Sequence, residues 1–106
     1  GQAACTMPGA PMTGGAEYLQ ALTGTCATSG AKALVGNATT VSPLAQGFLT
    51  LWPSDASRPL IATSNYALGV NFNRYFTVGL GIDGAFNRYA LSTTDLVIDV
   101  SGYFAP

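Results

Sequence analysis

The 106-residue chain is predicted to be all-β: a Greek-key sandwich, immunoglobulin-like or jelly-roll-like, of about seven short strands behind an extended N-terminal leader. Three observations carry that expectation. Residues Thr94–Phe104 (TDLVIDVSGYF) alternate, with Leu96, Ile98, Val100, Gly102 and Phe104 on one side and Val97, Asp99, Ser101 and Tyr103 on the other. Turn residues cut the rest of the chain into short apolar runs at regular spacing. The one stretch with helical propensity, residues 16–22, is short and closes on Thr23-Gly24.

In chain order, residues 1–16 (GQAACTMPGAPMTGGA) are Gly, Ala, Pro and Thr with no charge and no periodicity, which marks an extended leader without structure of its own. The sandwich then takes residues 17–106. Its strand candidates are 18–22, 31–41, 48–52, 60–63, 75–80, 85–91 and 95–104. Ser42-Pro43 closes the second, Pro53-Ser54-Asp55 closes the third, Arg58-Pro59 opens the fourth, and Asp83-Gly84 supplies a hairpin turn. Residues 64–73 (SNYALGVNFN) read as a connection between sheets. Phe76, Val78, Leu80 and Ile82 share one face and are expected in the core, as are Leu96, Ile98, Val100 and Phe104. In residues 48–52, Leu49 and Leu51 oppose Phe48, Thr50 and Trp52, so large apolar groups lie on both faces and one sheet surface is adhesive.

Composition narrows the function. The length suits one domain with one core. Charged residues are 8% of the chain, against roughly 25% in an average soluble domain. Such a surface is covered by neighbours or sugar, or simply relies on Ser, Thr, Asn and Gly. The net charge is −1 and the four basic residues, Lys32, Arg58, Arg74 and Arg88, are dispersed, which argues against nucleic-acid binding. No apolar run approaches the roughly 20 residues of a membrane-spanning helix. A start without Met fits a secreted chain freed of its signal peptide, though a piece of a longer protein begins the same way. Cys5 and Cys26 are expected to form a disulfide in an oxidising, extracellular compartment, the alternative being two buried thiols.

The segments LVGNATTVSPLAQGFLTLWPSD (34–55), RPLIATSNYALG (58–69) and TDLVIDVSGYFAP (94–106), with the glycine turn near Asp83, resemble a family of small β-sandwich modules in secreted bacterial proteins. Members carry a strand of the type NVTV, then P-x-A-x-G-[YF]-L-T-[VL]-[YW]-P, then RP-x-A-S-x-[LI]-N-[YF], and finally VIVDVxGYF. The resemblance implies an extracellular accessory or surface module with no common chemistry. Residues 24–34 (GTCATSGAKAL) resemble the family's approach to its second strand, which puts Cys26 at a family-like position. The family's opening strand with its DTR-like motif has no counterpart before Tyr18. The leader supplies that strand either in its own sandwich or to a neighbouring subunit.

Catalytic chemistry is hard to assemble from this inventory. Without histidine there is no Ser-His or Cys-His pair and no zinc site of the usual kind. Of the acids, Asp55 and Asp83 sit in turn sequences, where they cap backbone. Asp99 lies mid-strand, where bonding to backbone or to an Arg across the sheet is the plain role; a calcium site lacks its D-x-D-x-D-G loop. We therefore expect no enzymatic activity, no metal and no cofactor. Phe48, Trp52, Tyr66 and Tyr103 are candidates for an assembly or ligand surface, and Asn37-Ala38-Thr39 is a glycosylation sequon. The expectation is a structural subunit of an extracellular filament or surface layer, self-assembling through apolar sheet faces and donation of the leader strand to another copy; the alternative is a carbohydrate-binding or accessory module of a larger secreted protein, directed at surface polysaccharide.

Overall fold

The computed structural model describes residues 2–22 and 30–104, with the side chains of Cys5, Pro11 and Met12 described in its first strand. Eight strands form: β1 (Gln2–Met12), β2 (Glu17–Gln20), β3 (Ala33–Val41), β4 (Gly47–Pro53), β5 (Ser64–Tyr66), β6 (Phe72–Gly79), β7 (Phe86–Ala90) and β8 (Thr94–Phe104). They make two four-stranded antiparallel sheets, β1-β8-β3-β6 and β2-β7-β4-β5. Pairing β1 with β8, β2 with β7, β3 with β6 and β4 with β5 is the pattern of one long antiparallel hairpin. Rolling that hairpin so that β3 also meets β8 and β4 also meets β7 gives the jelly-roll order. Of the two sandwich types the sequence allowed, the chain adopts this one.

The sheets are held by an apolar interior in which Leu34, Ala38, Phe76, Val78, Leu96, Ile98 and Val100 from the first sheet face Leu49, Leu51, Tyr66, Phe86 and Ala90 from the second. Burial alternates through β3 and through β8 as far as Val100, so the period-2 signal read in residues 94–104 marks a true inward face over most of β8. β4 instead buries four successive residues, Leu49 to Trp52. Its outward face is roofed by the loop that follows: Trp52 Nε1 donates to Ala56 O at 2.9 Å, and the Arg58 guanidinium lies 3.8 Å from the centre of the Tyr89 ring.

Four expectations are corrected. Residues 60–63 are not a strand; Leu60 and Ile61 lie exposed in the roofing loop, and β5 begins at Ser64. Residues 64–73 therefore hold all of β5 and the start of β6, and only 67–71 cross between sheets. Ile82 is 96% exposed, because β6 ends at Gly79 and alternation has no meaning in the turn beyond it. Phe104 is 56% exposed. The cause is a bulge: Gly36 faces Val100 but Val35 faces Gly102, so Ser101 is the extra residue, and its Oγ donates to Val35 O at 3.3 Å. One extra residue reverses the alternation. Tyr103, expected outside, packs against the core instead, while Phe104 turns out.

The leader forms β1 at the edge of the first sheet, beside β8. Of the two roles open to it from sequence, this arrangement places the strand in its own sandwich. Its Gly, Ala and Pro carry no alternation; the strand is imposed by the open edge of β8, and two register irregularities, between Gln2 and Cys5 and between Met7 and Ala10, adapt it. Met12 closes the strand fully buried in the core.

Asp55 and Asp83 bind turns together, as their setting suggested. Asp55 Oδ2 accepts from Ile82 N at 2.9 Å, and Asp83 Oδ1 accepts from Ser54 Oγ and from Ala85 N at 3.1 Å. The Ser54 hydroxyl and then the Ala85 amide favour the ionised Asp83 and hold its carboxyl below the usual carboxylate range. A depressed folded-state pKa adds stability above the unfolded value, and that stability is lost as pH falls through the folded value. The thermal midpoint should therefore drop on acidification below about pH 4, and Asp83→Asn should lower the midpoint at pH 7 while shrinking the acid drop. Equal acid drops in the two proteins would contradict this role.

Candidate functional site

Two surfaces stand out. One is an uncharged end of the sandwich. The four connections there, residues 13–16, 42–46, 67–71 and 91–93, contain no Asp, Glu, Lys or Arg, and Leu44, Leu68, Val70 and Leu91 are exposed on them. Backbone bonds tie these connections to one another: Leu44 N to Thr93 O at 2.9 Å and Gly69 N to Pro43 O at 2.8 Å. Ser42 N adds a bond to Asn71 Oδ1 at 2.8 Å. The exposed leucines therefore stand on a fixed frame.

The second surface is a groove of about 360 Å³ opening beside that end, lined by Gln46, Gly47, Phe48, Asn65, Tyr66 and Leu91. Its floor is built by a polar latch. Tyr66 Oη donates to Ser92 O at 2.7 Å and accepts from Ser92 N at 3.1 Å, while Ser92 Oγ reaches the carbonyls of Ala45 at 2.9 Å and Gln46 at 3.0 Å. Gly47 sits on this latch with no room for a side chain: a Cβ there would lie 2.5 Å from Ser92 Oγ and 2.8 Å from Tyr66 Oη. The wall is Phe48, whose ring centre is 5.8 Å from that of Tyr89.

The four candidate aromatics do not share a face. Phe48 and Trp52 lie on the outward side of the second sheet, but Trp52 is only 2% exposed beneath the roofing loop. Tyr66 points inward from β5 and is buried, its hydroxyl taken by Ser92. Tyr103 packs against the core from the other sheet. Phe48 and Tyr66 nevertheless meet at the groove, and Gln46 and Asn65, which complete it, carried no sequence signal because amides are ordinary in loops and at sheet edges.

Asn37 lies on the half-exposed outward face of β3 between Tyr75 and Asp99. Cys5 is half-buried on β1, packed against the core and opposite Val100. Cys26 lies outside the described residues, and so does the Cys5–Cys26 bridge. The acids are distributed over three places: Glu17 pairs with Arg58 at 3.4 Å, Asp55 and Asp83 hold the same pair of adjoining turns, and Asp95 and Asp99 are spaced along β8. No group of three or more His, Cys, Asp or Glu able to hold a metal occurs among the described residues. No helix among them is long and apolar enough to cross a membrane.

On the inward side of β7, Arg88 lies beside Leu51 and Tyr18, its guanidinium 4.8 Å from the Tyr18 ring centre. Desolvation lowers the Arg88 pKa, and the Thr13 side chain, followed by the Thr13 amide that donates to Tyr18 Oη at 3.0 Å, lowers that of Tyr18. This contact fastens β2 to β7 and the β1–β2 turn to both.

The chain matches no protein-family model, no curated protein and no solved structure.

Proposed function

We propose that the protein is a non-enzymatic structural subunit of an extracellular filament or surface layer, and that copies join by passing β1 from one sandwich to the next. The observation that carries this reading is the position of β1. It is an edge strand flanked only by β8 in the sheet order, and its last residue, Met12, fills the core. The β1 of another copy, laid into the same register, makes identical contacts, so exchange between copies costs the rearrangement of one connection and the re-forming of the Cys5 disulfide across chains. Each copy donates once and accepts once, a head-to-tail relation that grows open fibres unless its rotation closes a ring.

Two further features support assembly. The opposite edge of the same sheet is β6, eight residues with no proline, whose exposed backbone groups invite a further strand. The uncharged end lets copies approach without like-charge repulsion or buried unpaired charge.

Negative-stain electron microscopy tests the reading directly. The full chain should form open fibres, and a variant lacking residues 1–16 should form none, remaining a less stable monomer that a free peptide of residues 1–16 restores. Because Cys5 travels with the donated strand, its bridge to Cys26 should run between chains, giving a covalent ladder in non-reducing electrophoresis of the assembled material. A full chain that stays monomeric in sedimentation at about 100-fold its working concentration, or a truncated chain that builds the same fibres, would remove strand donation.

A further inference from the structure

From the groove beside the uncharged end we infer a second property, independent of strand exchange: a binding site for a neutral saccharide, with Asn65 and Gln46 as its hydrogen-bonding residues and Phe48 and Leu91 as its apolar walls.

The lining contains no ionisable carboxylate, amine or guanidinium. A charged ligand entering it would shed water without meeting a counter-charge, which is costly. A wholly apolar ligand would strip water from the side-chain amides of Gln46 and Asn65 and return no hydrogen bond. A neutral sugar meets both demands. Each side-chain amide presents a donor and an acceptor side by side, the arrangement that engages adjacent hydroxyls, while the C–H face of a pyranose packs on the Phe48 ring and the Leu91 side chain.

Size and rigidity agree. A volume of about 360 Å³ lies near the lower end of the range for small-ligand sites, roughly 300–1,000 Å³, and suits one sugar ring or two. Asn65 is the exposed middle residue of edge strand β5, so the groove is open along the sheet edge and a longer glycan can continue past it. The floor is set in advance: Tyr66 and Ser92 lock each other, Ser92 holds the Ala45 and Gln46 carbonyls, and Gly47 leaves the floor flat. With the floor preset, ordering on binding is confined to the exposed side chains of Gln46, Asn65 and Leu91.

The test is isothermal titration calorimetry of the full chain against four neutral hexasaccharides, the β-1,3-glucan, α-1,4-glucan, β-1,4-xylan and β-1,4-linked N-acetylglucosamine oligomers, with a sulfated oligosaccharide as the charged comparison. Saturable binding of at least one neutral glycan and none of the sulfated one is expected. Asn65→Ala and Gln46→Ala should each weaken it about tenfold with the thermal midpoint unchanged, since neither amide holds the fold. The readout does not depend on fibres: the titration reports glycan binding by the full chain whether or not copies assemble, so a full chain that binds a neutral glycan but forms no fibres would remove strand donation and leave the groove reading standing. The inference is overturned if no neutral glycan binds at about 10 mM, if the sulfated oligosaccharide binds as well as the neutral ones, or if binding survives both substitutions undiminished.

Discussion

Replacing Phe86 by Ala should cost about 3–5 kcal/mol, enough to lower the thermal midpoint by roughly 15–25 °C in a domain of this size. Phe86 is fully buried, on a β7 that is itself an interior strand of its sheet, paired with β2 on one side and β4 on the other. Its ring therefore cannot be replaced by movement of an edge, and the substitution leaves a cavity lined by rigid strands. The loss is the transfer energy of the ring plus the unfilled volume. A single domain of this kind has about 5–15 kcal/mol in total, so the variant should sit near the limit of folding. Denaturant titration reads the change as a shifted midpoint at constant slope. The internal comparison is Ile82→Ala: Ile82 is equally apolar but 96% exposed, and its loss should stay within about 0.5 kcal/mol. Equal effects of the two substitutions would mean that the inward face of β7 is misassigned.

That contrast also shows where sequence reading succeeds and where it stops. Most of β8 and the second half of β6 were legible because a strand with one buried face must alternate, and the residues that alternate are local in sequence; β3 and β7 were legible from the turn residues that bracket them. β5 was not. Leu60 and Ile61 form a more apolar run than Ser64-Asn65-Tyr66, yet the loop carries them over the outer face while β5 is fixed by its pairing to residues 47–49 and by the Tyr66–Ser92 latch. β1 was readable only as extended, because its partner lies some ninety residues away in sequence and nothing in its own composition names it. The groove is less legible still. Its residues come from three segments, 46–48, 65–66 and 91, brought together by the β4–β5 pairing and the β7–β8 turn. Aromatic character singled out Phe48 and Tyr66; Gln46 and Asn65 offered no spacing or motif to find.

Gly36→Ala should destabilise the domain by about 2–3 kcal/mol, and Gly36→Val by more. Gly36 lies on β3 in the interior of the first sheet, where the bulge at Ser101 brings the β8 backbone across it. A Cβ added at Gly36 would fall on the Asp99 carbonyl oxygen, with the Asp99 carbonyl carbon at 3.0 Å and Val100 Cα at 3.1 Å. All three obstacles are main chain, so no rotamer change relieves the overlap and the strands must part or shift register. Parting them costs ladder hydrogen bonds beside Ile98 and Val100, in the centre of the core. The bulge is also what points Tyr103 at the interior and Phe104 outward, so a β8 pushed back into regular register would have to exchange the two. The exchange gives the measurement a second readout: in Gly36→Ala, hydrogen exchange should accelerate first at residues 99–103 and in β3 opposite them, before the second sheet opens. A Gly36→Ala variant within about 0.5 kcal/mol of the parent, with unchanged exchange in that segment, would mean that β8 passes Gly36 without the close approach and that the reversal of Tyr103 and Phe104 has another cause.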